Sequence, residues 1–400
     1  MSLAALTSTL PIDTDAPGKE TTTGMTVTVA ERFDEVRAPW LQLQAEGQAT
    51  PYQQIGYLER FFDEVEAREG ARVALALVRD GTGAPLLLLP LSVTSSGPVR
   101  IARFIGGPHC NFNMPVCSTQ AARLSACEMH ELLQAIGRAG GIDLFALTSQ
   151  PAAWQGFANP LALIDSQPSP SAGCKLTLQA DSDALFRGLL SKDARRKLRQ
   201  KEARLAGLGP LAYERAKDDA TANAILDRYF SLRASRFAEQ GIDNPFAGAE
   251  IQRFFRRAAT EGIETGAAVM DLHALMLRDQ PIAIFGTVTH GGRMSGVITA
   301  FGGDAEAAKY SPGEVLLNRM IAEACARGLA TFDLGVGEAR YKDHICPEPE
   351  PVSDSFVPVT FAGRAAGVML AAAMRAKRAL KQSDLGKDLI ARVRALKARS

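Results

Sequence analysis

The chain has 400 residues, 46% of them hydrophobic and 22% charged, a composition typical of globular proteins that excludes wholesale disorder and collagen-like repeats. Its length predicts two or three domains, each large enough for a hydrophobic core. The 45 basic and 44 acidic residues give a formal charge of +1, which argues against a protein dedicated to coating nucleic acid.

The six cysteines form no C-x-x-C pair, so we expect reduced thiols in a cytoplasmic protein. The N-terminus has no basic leader followed by a long apolar run, and we therefore expect no secretory signal. The longest apolar stretch near the C-terminus, residues 365–374, is about half of the ~20 residues that a transmembrane helix requires, and we expect no membrane span.

The predicted elements begin after residues 1–24, a stretch rich in Ser, Thr, Pro and Gly that is typical of a mobile tail. A β-rich segment at 26–29 leads into apolar residues at helical spacing, from Phe33 and again over 55–68. An Asp-Gly turn at Asp80 lies between two apolar runs and predicts a hairpin. The rest of the first half is predicted as strands 72–79, 85–93, 99–105 and 142–148 with a helix over 121–138.

The second half is predicted to repeat this order of elements. Its predicted strands are 175–178, 211–214, 273–278, 282–289, 293–301 and 331–334. Its predicted helices are 183–206, 221–239, 249–261 and 312–327. The segments that begin at Ala76 and Ala274 both give a strand, an Arg-Asp turn, a proline and a second strand. We interpret the chain as two copies of one α/β unit, the alternative being that similar turn chemistry arose twice by chance.

Residues 310–314 have the sequence Tyr-Ser-Pro-Gly-Glu and lie between a predicted strand and a predicted helix with an apolar face. Proline in the first helical turn needs no backbone donor, Ser311 can cap the helix, and Gly313 permits close approach to the backbone. The free N–H groups and partial positive charge of such a terminus suit a phosphate or pyrophosphate. An ordinary capped helix is the alternative.

A strongly basic helix is predicted over residues 191–201, with the sequence Ser-Lys-Asp-Ala-Arg-Arg-Lys-Leu-Arg-Gln-Lys. One face carries basic residues at spacings of i, i+3, i+4 and i+7: Lys192, Arg195, Arg196 and Arg199. Such a face can bind a phosphorylated cofactor, an acidic acceptor or an RNA backbone. A solvated basic face is the alternative, and the absence of interleaved aromatic residues disfavours single-stranded nucleic acid.

Residues 332–345 predict a buried strand that ends at two glycines and is followed by a polar cluster. Ligands bind at such exits from strand C-termini in α/β proteins. Lys342 can hydrogen-bond a developing oxyanion or a phosphate. Four neighbours can relay a proton: Asp333, Glu338, Tyr341 and His344. The alternative is a loop that is simply solvated.

The common motifs of other enzyme classes are missing, since the sequence contains no G-x-S-x-G, no P-loop and no G-x-G-x-x-G after a strand. His109, Cys110 and Cys117 lack zinc-ligand spacing, as do His344 and Cys346. We therefore predict no metal site.

The chain resembles the GNAT-like acetyltransferases of the CelD/BcsL type, which are linked with cellulose and exopolysaccharide biosynthesis. The resemblance runs from about residue 25 to residue 359 and rests on the segments SKDARRKLRQKEARL, YSPGEVLLNRMIAEACARG and FDLGVGEARYK. It implies an α/β (α+β) fold of tandem duplicated GNAT-like domains, each a mixed central β-sheet flanked by helices. This architecture is also similar to that of the peptidoglycan-bridge aminoacyltransferases, which use aminoacyl-tRNA.

The resemblance implies one active site, in the second copy, although the chain lacks the common Arg/Gln-x-x-Gly-x-Gly/Ala form of the pyrophosphate loop. The predicted donor-binding residues are Val297, Thr299, Tyr310, Ser311, Pro312, Gly313, Lys192 and Arg196. The predicted catalytic residues are Lys342, Tyr341, Asp333 and Glu338. Resemblance to the aminoacyltransferases places Tyr341 and Lys342 near the reacting carbonyl, and we expect Lys342 to be the electrophilic group.

We predict four regions: a disordered tail (1–24), a degenerate GNAT-like domain on the scaffold or acceptor side (25–165), a GNAT-like acyltransferase domain (170–361) and a basic C-terminal helix (362–400). The predicted activity is N-acyl transfer from acetyl-CoA or another acyl-CoA, as co-substrate, to an amine of a sugar, amino acid or peptide.

Two alternatives stay open: an aminoacyl-tRNA-dependent transferase, and a non-catalytic binding module of a polysaccharide-synthesis assembly. The C-terminal region, with ten basic and two acidic residues, is predicted to dock on anionic lipid or an acidic partner, or else to be a solvated extension.

Overall fold

The structure is a computed structural model that describes residues 19–22, 24–302, 305–337 and 340–383. Its strands are β1 (Lys19–Thr22), β2 (Met25–Ala30), β3 (Arg72–Arg79), β4 (Pro85–Ser96), β5 (Val99–Phe104), β6 (Val116–Cys117), β7 (Leu144–Pro151), β8 (Ala153–Trp154), β9 (Phe157–Ala158), β10 (Gln167–Pro168), β11 (Gly173–Thr177), β12 (Leu211–Arg215), β13 (Asp271–Leu277), β14 (Gln280–His290), β15 (Arg293–Phe301), β16 (Thr331–Val336), β17 (Glu348–Glu350) and β18 (Val352–Pro358). Its helices are α1 (Phe33–Glu46), α2 (Ile55–Phe61), α3 (Ala126–Ala139), α4 (Ser182–Leu189), α5 (Lys192–Gly207), α6 (Asp219–Glu239), α7 (Ala249–Thr260), α8 (Ala305–Ala308), α9 (Pro312–Ala326), α10 (Arg340–Ile345) and α11 (Phe361–Gln382).

The first sheet has the strand order β1-β2-β3-β4-β5-β7-β18-β10, with β6 paired to β4. Strands β2 to β5 are antiparallel neighbours, whereas β5 and β7 run parallel. Six of the eight residues of β3 and eight of the twelve residues of β4 are buried, because helices and loops cover both faces of the sheet there. Helix α1 packs against β4 and helix α3 against β2.

The second sheet has the order β12-β13-β14-β15-β16-β11-β17. Side chains alternate between its two faces. Ile284 and Ile298 join the core that the first half shares with α6 and α7, whereas Leu275 and Phe285 pack in the cluster beneath α9. Strand β16 runs parallel to β15, so the chain must cross over between them, and α9 makes that crossover.

The predicted duplication is confirmed at the level of architecture. In the first half, the antiparallel strands β3, β4 and β5 are followed by α3 and by β7, which is parallel to β5. In the second half, β13, β14 and β15 are followed in the same way by α9 and by β16. The fold is a tandem of mixed α/β units, each with a central sheet flanked by helices.

The last strand crosses from one unit to the other. We predicted that residues 170–361 form a single domain, but β18 lies in the first sheet, antiparallel to β7 and β10. Helix α11 then packs against β5, β7 and β18, and the Thr360 hydroxyl donates to Asp143 at 3.0 Å. The described part of the basic extension is therefore docked on the first unit rather than separate from it. Residues 384–400 lie outside the described residues.

Three predicted elements differ in detail. The predicted helix 183–206 is two helices, because the Ser191 hydroxyl accepts from the Ala194 amide at 3.2 Å and starts α5 anew. The predicted helix 55–68 changes to a π-helical turn at residues 62–66. The predicted tail 1–24 contains β1, which pairs with β2, and residues 1–18 lie outside the described residues. None of the described helices combines the length and apolar content needed to cross a bilayer.

Candidate active site

Helix α9 begins without a side-chain cap. We predicted that Ser311 caps this helix, but Ser311 adopts a left-handed conformation (φ 51°) and its side chain makes no capping hydrogen bond. Its carbonyl accepts from the amides of Glu314 and Val315. Pro312 has no N–H, and the Gly313 amide has no partner within the described residues. This start of a helix leaves a backbone donor free at the positive end of the helix dipole.

A cavity of about 750 Å³ opens at this helix start and has mostly apolar walls. It is lined by Phe186, Leu189, Leu190, Ala194, Thr299, Phe301, Gly302, Ala308, Ser311, Pro312, Gly313, Glu314, Leu317, Asn318, Ile321, His344 and Ile345. Four of the predicted donor-binding residues meet here: Thr299, Ser311, Pro312 and Gly313. A Cβ atom at Gly313 would lie 3.2 Å from the Phe301 ring, so a larger residue there would narrow the cavity. We call this space the donor cavity.

Four predicted donor-binding residues do not line this cavity: Tyr310, Val297, Lys192 and Arg196. The Tyr310 side chain packs against the apolar cluster beneath α9. Val297 packs against the core shared with the first half, and it is the extra residue of a β-bulge, since Gly286 pairs with Ile298 and Thr287 with Gly296. Bulges redirect strand backbone and are frequent beside active sites.

Strands β15 and β16 diverge next to this bulge. Their parallel pairing covers Arg293 to Ser295 of β15. Beyond it, the Asn111 side chain bridges the two strands: Nδ2 donates to the Gly296 carbonyl at 3.1 Å, and Oδ1 accepts from the Val336 amide at 3.1 Å. The Tyr52 hydroxyl also donates to the Gly296 carbonyl, at 2.7 Å. The first half therefore closes the gap that opens between the two strands, a role that sequence reasoning missed.

Lys342 lies at the carboxyl end of β16. Its Nζ atom is 3.4 Å from the Gly335 carbonyl oxygen and 3.5 Å from that of Val336. Burial lowers the pKa of Lys342, against the opposing effect of nearby Cys174 and Asp333. The lysine is thus a partly buried cation at the point where β15 and β16 separate.

The structure describes only some of the other residues that we predicted to take part in catalysis. Tyr341 is in α10, but its side chain is outside the described part of the structure, and Glu338 is outside it altogether. His344 is exposed at the edge of the donor cavity.

Asp333 is fully buried and holds structural partners. Its carboxylate accepts from Arg293 Nε at 2.7 Å, from the Gly335 amide at 2.9 Å and from the Ser295 hydroxyl. Arg293 also pairs with Glu350, and its guanidinium lies 3.7 Å from the centre of the Trp154 ring. Each of these contacts ties the Asp333 carboxylate to strands of its own sheet, which is a structural role, and the proton relay that we predicted for Asp333 stays a prediction.

The basic face of α5 is oriented differently from our prediction. Lys192 and Arg196 are exposed and line no described cavity, and Arg196 pairs with Asp193 at 3.2 Å. Arg195 and Arg199 instead line a second cavity of about 430 Å³ between α4, α5 and α9. The i, i+4 spacing of Arg195 and Arg199 was the sequence signal for this pair. Which side of α5 faces α9 depends on the break at Ser191, where the helix starts anew.

Comparisons with known proteins agree with this fold. The family described as acetyltransferase (GNAT) domain matches residues 192–343. No curated protein sequence matches the chain significantly. Among solved structures, FemX is similar with 9% identity over 84% of this chain and 96% of that chain, at a TM-score of 0.56. The C-terminal domain (DUF2156) of a putative lysylphosphatidylglycerol synthetase from Agrobacterium fabrum is also similar. Its identity is 13% over 85% of this chain and 96% of that chain, at a TM-score of 0.51.

At these identities the two structures show a shared fold and nothing more specific. The family match begins at α5 and ends within α10, and it includes Lys342 and the start of α9, where the donor cavity opens. The second half therefore contains a GNAT-type domain, and the protein is an acyltransferase.

Proposed function

We propose that this chain is an acyl-CoA-dependent N-acyltransferase that moves an acyl group, acetyl or longer, to an amine of a sugar, amino acid or peptide. The observation that carries the proposal is the open start of α9: a free Gly313 amide, no side-chain cap, and a cavity that begins at this point. Anions bind at helix starts of this kind, because unpaired N–H groups and the helix dipole act together.

In this proposal the diphosphate of the donor binds at residues 311–313, and its acyl arm follows β15 past Thr299 toward the divergence of β15 and β16. Glu314 lies in the first turn of α9, but it is paired with Lys201, which offsets its charge. The apolar walls of the donor cavity suit the uncharged arm of the thioester.

The chemistry is direct transfer. The acceptor amine attacks the thioester carbonyl carbon, and the carbonyl electron pair moves to oxygen. The C–S bond then breaks, coenzyme A leaves as the thiolate, and the amine nitrogen loses a proton. We propose that Lys342 donates a hydrogen bond to the oxygen that gains charge. Tyr341 and Glu338 stay our candidates for the proton acceptor, and positioning supplies the remainder of the rate enhancement.

Calorimetry with coenzyme A, acetyl-CoA and longer acyl-CoA thioesters tests this proposal. We expect one equivalent per chain. If the folded protein binds none of these ligands, the proposal is wrong, and the non-catalytic binding module becomes the better account.

An aminoacyl-tRNA donor is the second candidate, because the arginine-lined cavity beside the donor cavity suits a phosphate-rich ligand. Loss of activity after ribonuclease treatment would favour it. The resemblance to the CelD/BcsL type supports a further proposal, that the acceptor is a saccharide used in exopolysaccharide or cellulose production.

A further inference from the structure

We infer that the second cavity binds a phosphate monoester, the 3′-phosphate of coenzyme A; this rests on the proposed function. The cavity, with a volume of about 430 Å³, lies between α4, α5 and α9. Four arginines line it: Arg187, Arg195, Arg199 and Arg319. Two acidic residues, Asp183 and Glu202, also line it. We call it the arginine cavity.

Two of the four arginines are not neutralised. Arg319 Nε is bound to Glu202 at 2.9 Å, and Arg187 lies 3.4 Å from Asp181. Within the part of the chain that the structure describes, Arg195 and Arg199 have no ion-pair partner, and the buried Nε atom of Arg195 has no hydrogen-bond partner. A buried donor without a partner costs free energy, which an anion in this cavity would offset.

The arginine cavity adjoins the donor cavity. Phe186, Leu190 and Asn318 line both. Arg319 is six residues along α9 from Gly313, a distance of about 9 Å at 1.5 Å per residue. The diphosphate and the 3′-phosphate of coenzyme A are attached to one ribose. A donor whose diphosphate binds at Gly313 therefore brings its 3′-phosphate within reach of the arginines.

Comparison of coenzyme A with 3′-dephospho-coenzyme A tests this inference by calorimetry. We expect the wild-type protein to bind coenzyme A at least tenfold more tightly. Arg195→Gln and Arg199→Gln should each weaken coenzyme A binding about tenfold and leave dephospho-coenzyme A binding within twofold. Arg204→Gln is the matched control, since Arg204 is exposed on the same helix and lines neither cavity. Arg199 is exposed, so its variant should fold even if the Arg195 variant does not.

The outcomes separate the two proposals. If the wild-type protein binds the two ligands equally, the inference is wrong and the proposed function stands. If the variants lose affinity for tRNA but not for coenzyme A, the cavity is an RNA site and the inference is again wrong. If the wild-type protein binds neither ligand, the proposed function itself fails, and the inference fails with it.

A different observation carries a second inference: we propose that helix α11 docks on an anionic lipid surface. Its outer face exposes large apolar side chains: Phe361 (89% exposed), Val368 (66%), Met369 (66%) and Leu380 (41%). At 100° per residue these four lie within an arc of about 120°. The opposite side, with Gly363 and Ala366, is buried against the first sheet.

Charge decides which partner fits this face. Helix α11 contains no acidic residue, and Arg364 and Lys377 are exposed on it. Residues 384–400 carry five basic and two acidic side chains, a net charge of the same sign, so that segment is a poor match for the helix. A basic helix with an exposed apolar stripe lies in the headgroup region of anionic membranes, where its cations are attracted to the lipid charge.

Co-sedimentation of the full chain with vesicles tests the second inference. We expect at least tenfold stronger partition into phosphatidylcholine vesicles that contain 30% phosphatidylglycerol than into pure phosphatidylcholine. Phe361→Ser combined with Met369→Ser should remove this binding, whereas Leu41→Ser, which changes an exposed leucine on α1, should not. Equal partition into both vesicles would overturn the proposal. So would a concentration-dependent dimer that the double variant abolishes, since the face would then bind a second copy.

Discussion

The two halves differ at the helix that connects the two parallel strands of each unit, which is α3 in the first half and α9 in the second. In the first half, α3 begins with a complete capping box: the Ser125 hydroxyl accepts from the Glu128 amide, and the Glu128 carboxylate accepts from the Ser125 amide at 2.8 Å. In the second half, α9 begins at a left-handed Ser311 whose side chain caps nothing. The same position in the same architecture is closed in one unit and open in the other.

This difference assigns separate tasks to the two units. A capped helix start stabilises its unit and leaves no free donor for a ligand. An uncapped start gives up that stability and keeps its amide free for an anion. The first unit contributes in another way, because Tyr52 and Asn111 reach across to Gly296 where β15 and β16 diverge. We propose that the first unit is a scaffold that completes the site of the second unit.

The largest expected effect is at Lys342. Lys342→Ala should lower kcat about 10²–10³-fold while the Kd for the donor stays within a few fold, because the lysine is proposed to act on the charge that develops during transfer. Steady-state kinetics with parallel calorimetry measures both quantities. Lys217→Ala, an exposed lysine of the same unit, is the control. Equal losses in kcat and donor affinity would mean that Lys342 binds the donor rather than acting in catalysis.

The next effect compares the two helix starts directly. Gly313→Trp should weaken coenzyme A binding at least tenfold, since even a Cβ at this position meets Phe301 at 3.2 Å. Cys127 occupies the equivalent second position of α3 and is exposed, so Cys127→Trp should leave binding unchanged. Calorimetry on both variants decides the matter, and similar affinities for the two would remove the distinction between the helix starts.

A third comparison uses two asparagines. Asn111 bridges β15 and β16, whereas Asn113 donates to the Thr148 carbonyl in the first unit at 3.1 Å. Asn111→Ala leaves the partly buried Val336 amide without its partner, and Asn113→Ala does the same to the Thr148 carbonyl, so each should lower the free energy of unfolding by about 1–3 kcal/mol. Only Asn111→Ala should also lower kcat/KM, by about tenfold. Urea unfolding measures the first effect and steady-state kinetics the second. A kcat/KM of Asn111→Ala equal to that of the wild-type protein would contradict the role that we give to Asn111 between β15 and β16.

The smallest effect concerns the caps themselves. Ser125→Ala should lower the free energy of unfolding by about 1 kcal/mol, because it removes the cap of α3. Ser311→Ala removes no capping bond and should change it by less than about 0.5 kcal/mol. Chemical denaturation measures both values. An equal loss in the two variants would show that Ser311 caps α9 in solution.

Local patterns predicted the parts of this structure that depend on neighbouring residues. Strand 293–301 and the helix start at Pro312 followed from alternation and from proline in the first turn, and the duplication followed from repeated turn chemistry. The parts of the structure that the sequence did not predict depend on contacts between residues that are distant in the chain. Asn111 meets Gly296 across 185 positions of sequence, and β18 pairs with a sheet formed almost entirely from the first half of the chain.

Which side chains face the site was harder to predict from the sequence than where the helices and strands lie. The basic face of α5 was evident, but the capping hydroxyl of Ser191 restarts the helix, so Arg195 and Arg199 face α9 while Lys192 and Arg196 face solvent. Asp333 had the sequence context of a catalytic acid, yet its pairing with Arg293 depends on a strand neighbour forty residues away. Ser311 has the residue type of an ordinary cap, but its left-handed backbone and its missing capping hydrogen bond are features that no residue pattern specifies.

A crystal structure of the complex with coenzyme A tests the central claim most directly. The account predicts diphosphate oxygens within hydrogen-bond distance of the Gly313 amide, with the thiol end directed along β15 toward Gly296 and Lys342. Coenzyme A bound elsewhere, with the start of α9 left empty, would contradict it.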